Sequence, residues 1–303
     1  MACYYPLRGY RARRVSPFTG KRGVVFSVRE GYLDRPVAVP CGQCIGCRLE
    51  RSRQWAMRCM HEASLYDENC FITLTYADEH LPQWNSLDKS AFPKFMKRLR
   101  KRYHDRRIRF YHCGEYGAQF GRPHYHAILF GFDFEDKKAF TVRNGNQTWT
   151  SAVLETLWPF GLCEIGSVTF ESAAYVARYV TKKVSGNELA VDAHYGVVDP
   201  ETGEVGRKEQ EYSTMSRRPG IGREWYERFG SEVFPADGVV VRGKLMKPPR
   251  YYELQHELVS PEEMELVRKK RMAKRKRREE TEERLEVRRV VAEARLNLKG
   301  GSL

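Results

Sequence analysis

Apolar side chains recur along this chain at two periods, and each period marks a different kind of element. Phe71-Ile72-Thr73-Leu74-Thr75-Tyr76 is a short β-branched and aromatic run that predicts a buried strand. Ser86 and Asp88 precede Phe92, Phe95, Met96 and Leu99, whose spacing of three and four predicts an amphipathic helix ending in the basic run from Lys97 to Arg102. Residues 108–113 alternate and predict a second strand, connected through Gly114, Gly117 and Gly121 to a third at 124–132. The continuous apolar run of that third strand predicts a central position with both faces covered. A helix around 152–157 stops at Pro159, residues 161–168 form a short fourth strand, and 172–184 form a helix. Strand, helix, strand, strand, helix, strand, helix predicts an α+β domain in which helices pack on an antiparallel sheet. Residues 185–212 read as a polar excursion, and the basic loop Met215 to Arg223 leads into an aromatic segment at 225–234. No internal repeat is visible.

Composition excludes several classes. With 41% hydrophobic and 12% aromatic residues over 303 positions, a sizeable core is possible and wholesale disorder is excluded. No window reaches the ~18–20 apolar residues of a membrane span, and the first residues lack the layout of a secretory signal. The expectation is a soluble, intracellular protein.

The formal net charge of +14 points to a polyanionic partner. Counting by segment moves that charge to the ends. Residues 1–61 hold 12 basic and 3 acidic side chains, residues 62–240 hold 23 and 25, and residues 241–303 hold 18 and 11. Nine of the eleven residues from Arg268 to Arg278 are Lys or Arg, and no Gly or Pro follows Pro261 until Gly300, so a long exposed basic helix is predicted. Such a helix is either a solvated tail or a phosphate-binding arm; the latter would lose its grip steeply with salt.

The candidate chemistry sits in the near-neutral middle. His124 and His126 are two apart, so a strand places both imidazoles on one face with Tyr125 on the other. Two neutral imidazoles can hold a divalent cation if a third ligand joins them, and Glu115 lies across the Gly-rich turn of the same hairpin. Two nitrogens and one carboxylate leave coordination positions open for a substrate oxygen. Structural or surface histidines are the competing reading. Further on, Tyr175 and Tyr179 are i and i+4 on a helix, with Lys182 about a turn beyond. Such a pair packs a core by default. Its catalytic reading is a phenol oxygen attacking a phosphodiester. A free phenol has a pKa near ~10, so that attack needs a metal on the phosphate and a nearby cation such as Lys182 or Lys183.

Cys41, Cys44 and Cys47 are three apart, with Gly42 and Gly46 permitting tight turns, which predicts a metal knuckle. A structural zinc needs a fourth ligand. Cys3 is the first candidate, followed by Cys59 and His61, and an iron–sulfur cluster is the alternative occupant. Cys70, Cys113 and Cys163 fall in predicted strands as small buried hydrophobes.

Taken in order, the strand 71–76, Arg122-Pro123-His124-Tyr125-His126 and Tyr175-xxx-Tyr179-xx-Lys182 resemble the three motifs of the HUH endonucleases, the rolling-circle replication initiators in which U is a bulky hydrophobic residue. The helix Tyr-Val-Ala-Arg-Tyr-Val-Thr-Lys looks like that of the microvirus initiators. The Cys41–Cys47 and Met215–Gly222 segments look most like the gokushovirus branch. The resemblance implies a ferredoxin/RRM-like HUH core at 68–190. A basic Cys-rich region would precede it at 1–67, an extension would follow at 191–260, and a basic helical tail at 261–303. It also implies Glu115, His124 and His126 as ligands of Mg2+ or Mn2+, Tyr175 and Tyr179 as paired nucleophiles, and Lys182 as the trailing lysine. The implied reaction nicks single-stranded phage DNA at the origin through a 5′-phosphotyrosine and rejoins it, in the cytoplasm of the bacterial host. No GxxxxGK[ST] loop is present, so a host helicase and polymerase are the implied partners. Tyr125, between the histidines, is more polar than the usual aliphatic. Two other readings compete: a non-catalytic, zinc-stapled single-stranded nucleic-acid-binding protein whose tyrosines stack on bases, and a metal-dependent hydrolase with a water nucleophile.

Overall fold

The computed structural model describes residues 3–17, 20–117, 120–143, 145–179, 188–275 and 277–298. The chain forms two compact units, Met1–Arg51 together with Lys270–Leu303, and Ser52–Lys269. The smaller unit opens with β1 (Leu7–Ala12), β2 (Val24–Val25) and β3 (Gly31–Val39), an antiparallel sheet in the order β2-β1-β3. Gly31 lies against Tyr10, where an added Cβ would stand 2.4 Å from the Tyr10 Cβ, so only glycine allows that approach. The following helix α1 (Ile45–Ala63) begins in this unit and ends in the larger one.

The larger unit is built on one seven-stranded sheet. Its elements are β4 (Asn69–Leu74), α2 (Ala91–Arg102), β5 (Arg109–Tyr116), β6 (Pro123–Phe130), β7 (Lys138–Arg143), β8 (Asn146–Thr150), α3 (Ala152–Leu157), β9 (Cys163–Gly166) and α4 (Phe170–Tyr179). Then follow α5 (Glu188–Tyr195), the hairpin β10 (Gly196–Val198) and β11 (Val205–Arg207), and β12 (Tyr212–Met215). The unit closes with α6 (Arg223–Ala236), the hairpin β13 (Val239–Val241) and β14 (Lys244–Met246), α7 (Arg250–Val259) and most of α8 (Pro261–Ala273). The strand order is β12-β5-β6-β4-β9-β8-β7, with every neighbouring pair antiparallel.

Helices cover both faces of this sheet, which explains the unbroken apolar run of β6. Tyr125, Ala127 and Leu129 point to one side, against Phe92, Phe95 and Leu99 of α2 and Leu154 and Leu157 of α3. Ile128 and Phe130 point to the other, against Ala56 and Cys59 of α1 and Ala173, Val176 and Ala177 of α4. A third core gathers Met57, Tyr226, Phe234, Tyr252 and Met264 from α1, α6, α7 and α8. Among the described residues, no helix is long and apolar enough to cross a membrane.

Three features depart from the sequence expectation. The β7–β8 hairpin extends the sheet although its pattern is blurred, because Phe140 and Val142 lie on its exposed side. The strand β12 joins the sheet beside β5, a pairing about a hundred residues apart that no local signal announces. The single basic helix expected from residue 261 is two helices, α8 and α9 (Glu282–Leu298), with a short 3-10 turn at Arg277–Glu280 between them. Consecutive like charges from Lys274 to Arg278 disfavour an uninterrupted helix. Thr281 then caps a fresh start: its Oγ1 accepts from Arg284 N at 3.4 Å, with Glu282 and Glu283 in the first turn.

One buried ion pair ties α1, β5 and the basic loop together. Arg109 Nε lies 2.6 Å from Glu62 Oε1, Gly222 N donates to Glu62 Oε2 at 2.7 Å, and Arg109 Nη2 donates to the Pro219 carbonyl at 2.8 Å. Removing one partner would strand the other in a dry environment. Glu62→Ala is therefore expected to destabilise the protein by about 3–5 kcal/mol in urea unfolding; a change below ~1 kcal/mol would contradict this anchoring.

Candidate metal and nucleophile site

The site is a product of strand register. In the β5–β6 hairpin Glu115 faces His124 and Cys113 faces His126, while Thr73 of β4 faces His126 from the other side. Directly opposed residues share a face, so Glu115, His124, His126 and Thr73 all project toward the α1/α4 side. The hairpin turn closes with Gly117 N donating to Arg122 O at 2.9 Å and Gly121 N to Gly117 O at 2.9 Å, and Gly121 adopts φ +59°. The Arg122 guanidinium pairs with Asp78 and donates to Tyr76 O at 2.8 Å, which braces the turn against the end of β4.

One carboxylate oxygen serves both histidines. Glu115 Oε1 is 2.9 Å from His124 Nε2 and 3.0 Å from His126 Nε2, and the two rings cross at 87°. The opposite ring nitrogens are engaged too: the Arg122 carbonyl accepts from His124 Nδ1 at 3.1 Å, and His126 Nδ1 lies 2.9 Å from Thr73 Oγ1. A proton on His124 Nδ1 leaves the Nε2 lone pair directed at a carboxylate, an arrangement that calls for a cation between them. Glu115 is 1% exposed, and its Oε2 is buried without a hydrogen-bond partner. Among the described residues its ion-pair partners are the two histidines alone. Burial lowers the His126 pKa below the ordinary imidazole value, opposed by Glu115, so the ring is held in its neutral, ligating form.

Tyr175 stands against this cluster. Its ring centroid is 5.1 Å from that of His126, edge-to-face at 84°. The helix carrying it is fixed at its start by a reciprocal cap, Ser172 N donating to Thr169 Oγ1 at 3.1 Å and Thr169 N to Ser172 Oγ at 2.8 Å. Along its length, Ser52 Oγ donates to the Ala174 carbonyl at 2.8 Å, and Ala173, Val176 and Ala177 pack into the core. Tyr179 is the last residue of α4; its side chain, and all of Lys182, lie outside the described residues.

The remaining candidates divide cleanly. Cys3 joins Cys41, Cys44 and Cys47, with all four sulfurs within 4.8 Å of one another. Burial raises the Cys44 thiol, but N–H donors from Tyr4 and Cys47 outweigh it and bring the group down to about 7. Cys59 is buried in the core, and His61 Nδ1 is bound to Tyr252 Oη at 2.9 Å with its ring stacked on Trp225, so neither belongs to that cluster. Cys70, Cys113 and Cys163 are buried among apolar residues, as expected. Arg217 and Arg218 are exposed on the loop that the Glu62–Arg109 pair anchors.

Sequence reasoning missed three polar residues on the sheet. Thr73 positions His126. Glu164 of β9 stands opposite Thr73 on the same face, a second carboxylate two strands from His126. His112 is fully buried on the other face, where its ring stacks on Phe92 at 3.6 Å and its Nδ1 lies 3.0 Å from Thr214 Oγ1 of β12. The available signal was a polar residue at a core position of an apolar strand.

The stretch of chain that carries this site matches a family of known proteins. Residues 69–184 fit the family model of the replication-associated protein ORF2. Across longer stretches the chain is 36% identical over 235 residues to replication-associated protein VP4 of Bdellovibrio phage phiMH2K, covering 74% of this chain and 69% of that one. It is 33% identical over 277 residues to replication-associated protein ORF2 of Spiroplasma virus 4, covering 85% and 81%. It is 31% identical over 232 residues to replication-associated protein ORF4 of Chlamydia phage 1, covering 73% and 54%. The chain belongs to this family of phage replication-associated proteins. No solved structure matches it.

Thr73 supplies a test of the ligand set. Thr73→Val removes the group that orients His126 and is expected to weaken Mn2+ binding roughly 10- to 100-fold by calorimetry; an unchanged affinity would contradict its role. The pH dependence has a definite sign. Because burial depresses His126, its neutral form persists as pH falls past about 6.5. Mn2+ binding is therefore expected to be flat near neutrality and to fall only at more acidic pH. A loss centred above pH ~7 would contradict the neutral-ligand assignment.

Proposed function

We propose that this chain is a metal-dependent DNA endonuclease and strand transferase of the HUH type. It nicks single-stranded phage DNA at the replication origin through a 5′-phosphotyrosine intermediate and rejoins it, driving rolling-circle replication. The observation that carries the reading is Tyr175, whose ring stands 5.1 Å from His126 beside a buried carboxylate–imidazole–imidazole cluster. The donor set fits a divalent cation such as Mg2+ or Mn2+, since two neutral nitrogens and one carboxylate converge and Glu115 Oε2 has no hydrogen-bond partner. Such an ion, held by Glu115, His124 and His126, supplies Lewis-acid polarisation of the scissile phosphate.

The protein's own groups account for the covalent step. The Tyr175 phenol oxygen attacks phosphorus, the bond from phosphorus to O3′ breaks, and O3′ leaves with the electron pair and takes up a proton. The 5′ phosphate remains on tyrosine and the free 3′ hydroxyl primes synthesis. The phosphotyrosine bond conserves the energy of the diester, so a later 3′ hydroxyl can displace the tyrosine and close the circle without ATP. Tyr179, one turn on, is assigned the second cut, and Lys182 the cation that favours the phenolate. Thr73 holds His126, and the reciprocal cap of α4 holds Tyr175 in register. The chain has no GxxxxGK[ST] loop, so unwinding and synthesis are assigned to a host helicase and polymerase. The basic segments at the two ends are assigned to the DNA backbone.

The test uses the full chain, Mn2+ and a library of single-stranded oligonucleotides. Wild type is expected to yield protein-linked DNA whose phosphopeptide maps to Tyr175 or Tyr179. Tyr175→Phe/Tyr179→Phe is expected to lose cleavage by roughly 10³-fold or more. Metal-dependent cleavage retained by the double variant would establish a water nucleophile and overturn the proposal. Binding without cleavage by wild type would reduce the protein to a single-strand-binding module.

A further inference from the structure

The smaller unit has almost no core. Among its described residues the buried apolar side chains are Cys3, Ile45, Cys47 and Leu285, two of them cysteines of one cluster. Large apolar groups such as Leu7, Phe26, Val28, Leu33 and Val287 are exposed instead. The same unit concentrates the charge. Its two segments hold 22 basic and 9 acidic residues, a net of +13, while Ser52–Lys269 holds 31 and 30. A small domain with few buried side chains and strong self-repulsion falls short of the free energy needed to fold, unless something other than apolar burial holds it together.

We propose that Cys3, Cys41, Cys44 and Cys47 bind one zinc ion, and that this ion is the core around which the basic unit folds. The sulfurs are set for it. Cys41 Sγ lies 4.0 Å from Cys47 Sγ, and Cys44 Sγ 3.9 Å from Cys3 Sγ. Four thiolates at about 2.3 Å from zinc have tetrahedral edges of about 3.8 Å, so the cluster needs only a slight contraction. The same spacing is far from a disulfide, whose sulfurs sit ~2.05 Å apart, and all four thiols are free. Backbone donors already face the sulfurs: Cys41 N to Cys3 Sγ at 3.2 Å, Cys44 N to Cys41 Sγ at 3.3 Å, and Tyr4 N to Cys44 Sγ at 3.4 Å. These donors stabilise thiolate charge as the outer support of a structural site.

The topology explains what such an ion would accomplish. Cys3 precedes β1, while Cys41, Cys44 and Cys47 follow β3 and lead into the first turn of α1. One ion would thus close the ends of the three-stranded sheet on each other and fix where α1 begins. Zinc with four thiolates also carries a net charge of about −2, set inside a unit of +13, so the site offsets part of the repulsion it has to overcome. Four protein ligands close the coordination shell and leave no position for substrate, which makes the site structural. The inference is independent of the nicking reaction, because no residue is shared between the two clusters.

Metal analysis, cobalt spectroscopy and proteolysis of the full-length protein decide it. The purified chain is expected to hold one zinc that survives Glu115→Gln/His124→Ala/His126→Ala and is lost in Cys41→Ser/Cys44→Ser. Cobalt substitution is expected to give the intense near-ultraviolet charge-transfer band of a thiolate-rich tetrahedral site. Stripping zinc with a strong chelator is expected to speed cleavage within residues 7–39 roughly tenfold or more, while fragments of Ser52–Lys269 persist. Cys3→His, which keeps a ligand, is expected to restore protection that Cys3→Ser loses. A cobalt spectrum without the thiolate band, an iron–sulfur chromophore, or a metal-stripped arm that resists proteolysis as well as the loaded one would each overturn the proposal.

Discussion

The pairing of β5 with β6 is the constraint from which the candidate chemistry follows. Antiparallel register sets Glu115 opposite His124, and the two-residue repeat of a strand returns His126 to the same face. A slip of one residue would turn both imidazoles into the opposite core, where Tyr125 now bonds the Asp88 backbone N–H and carbonyl at 3.0 and 2.8 Å. The register is held at both ends of the hairpin: Arg122 braces the turn, and apolar side chains of β6 lock into cores on both sides. A buried carboxylate between two imidazoles is costly on its own account. It persists because the surrounding packing leaves it nowhere else to go, and a cation of charge +2 would convert that cost into affinity.

The second half of the site depends on a different kind of control. Tyr175 reaches the cluster through a helix, so its position is governed by where α4 starts and how deeply it beds. The Thr169–Ser172 cap determines the first, and the small residues Ala173 and Ala177 determine the second by letting the helix lie close on β5 and β6. Large side chains at either position would lift the tyrosine away from His126. A seven-stranded sheet with helices on both faces is thus a rigid platform that points two independent elements at one spot. The charge that would draw DNA lies in other segments of the chain, where it leaves the pKa environment of the site undisturbed.

Much of this was legible from the sequence, and the limits are physical. The strands β4, β5 and β6 and the helices α2, α3 and α4 announce themselves because each has one clear period over a buried face. The site triad was readable because hairpin partners are close in sequence, so a turn of a few residues specifies who faces whom. Thr73 and Glu164 were not readable as site neighbours, since their places depend on the order in which β6, β4 and β9 assemble, a long-range choice with no local signature. The same holds for β12. Cys3 could be ranked first as the fourth thiol but not separated from Cys59, whose burial among Ala56 and Ala63 only the packing reveals. The basic tail was misjudged in one respect: residue propensity favours helix throughout, whereas like-charge crowding and the cap at Thr281 divide it.

The central claim is that one divalent cation sits between Glu115, His124 and His126 with Tyr175 beside it. Anomalous diffraction at the manganese edge from crystals of the Mn2+-loaded protein tests it most directly. A single strong peak within coordination distance of Glu115 Oε1 and both Nε2 atoms, facing the Tyr175 phenol, is the predicted result. An empty cluster at saturating Mn2+, or a peak ligated elsewhere with Tyr175 turned away, would contradict the account.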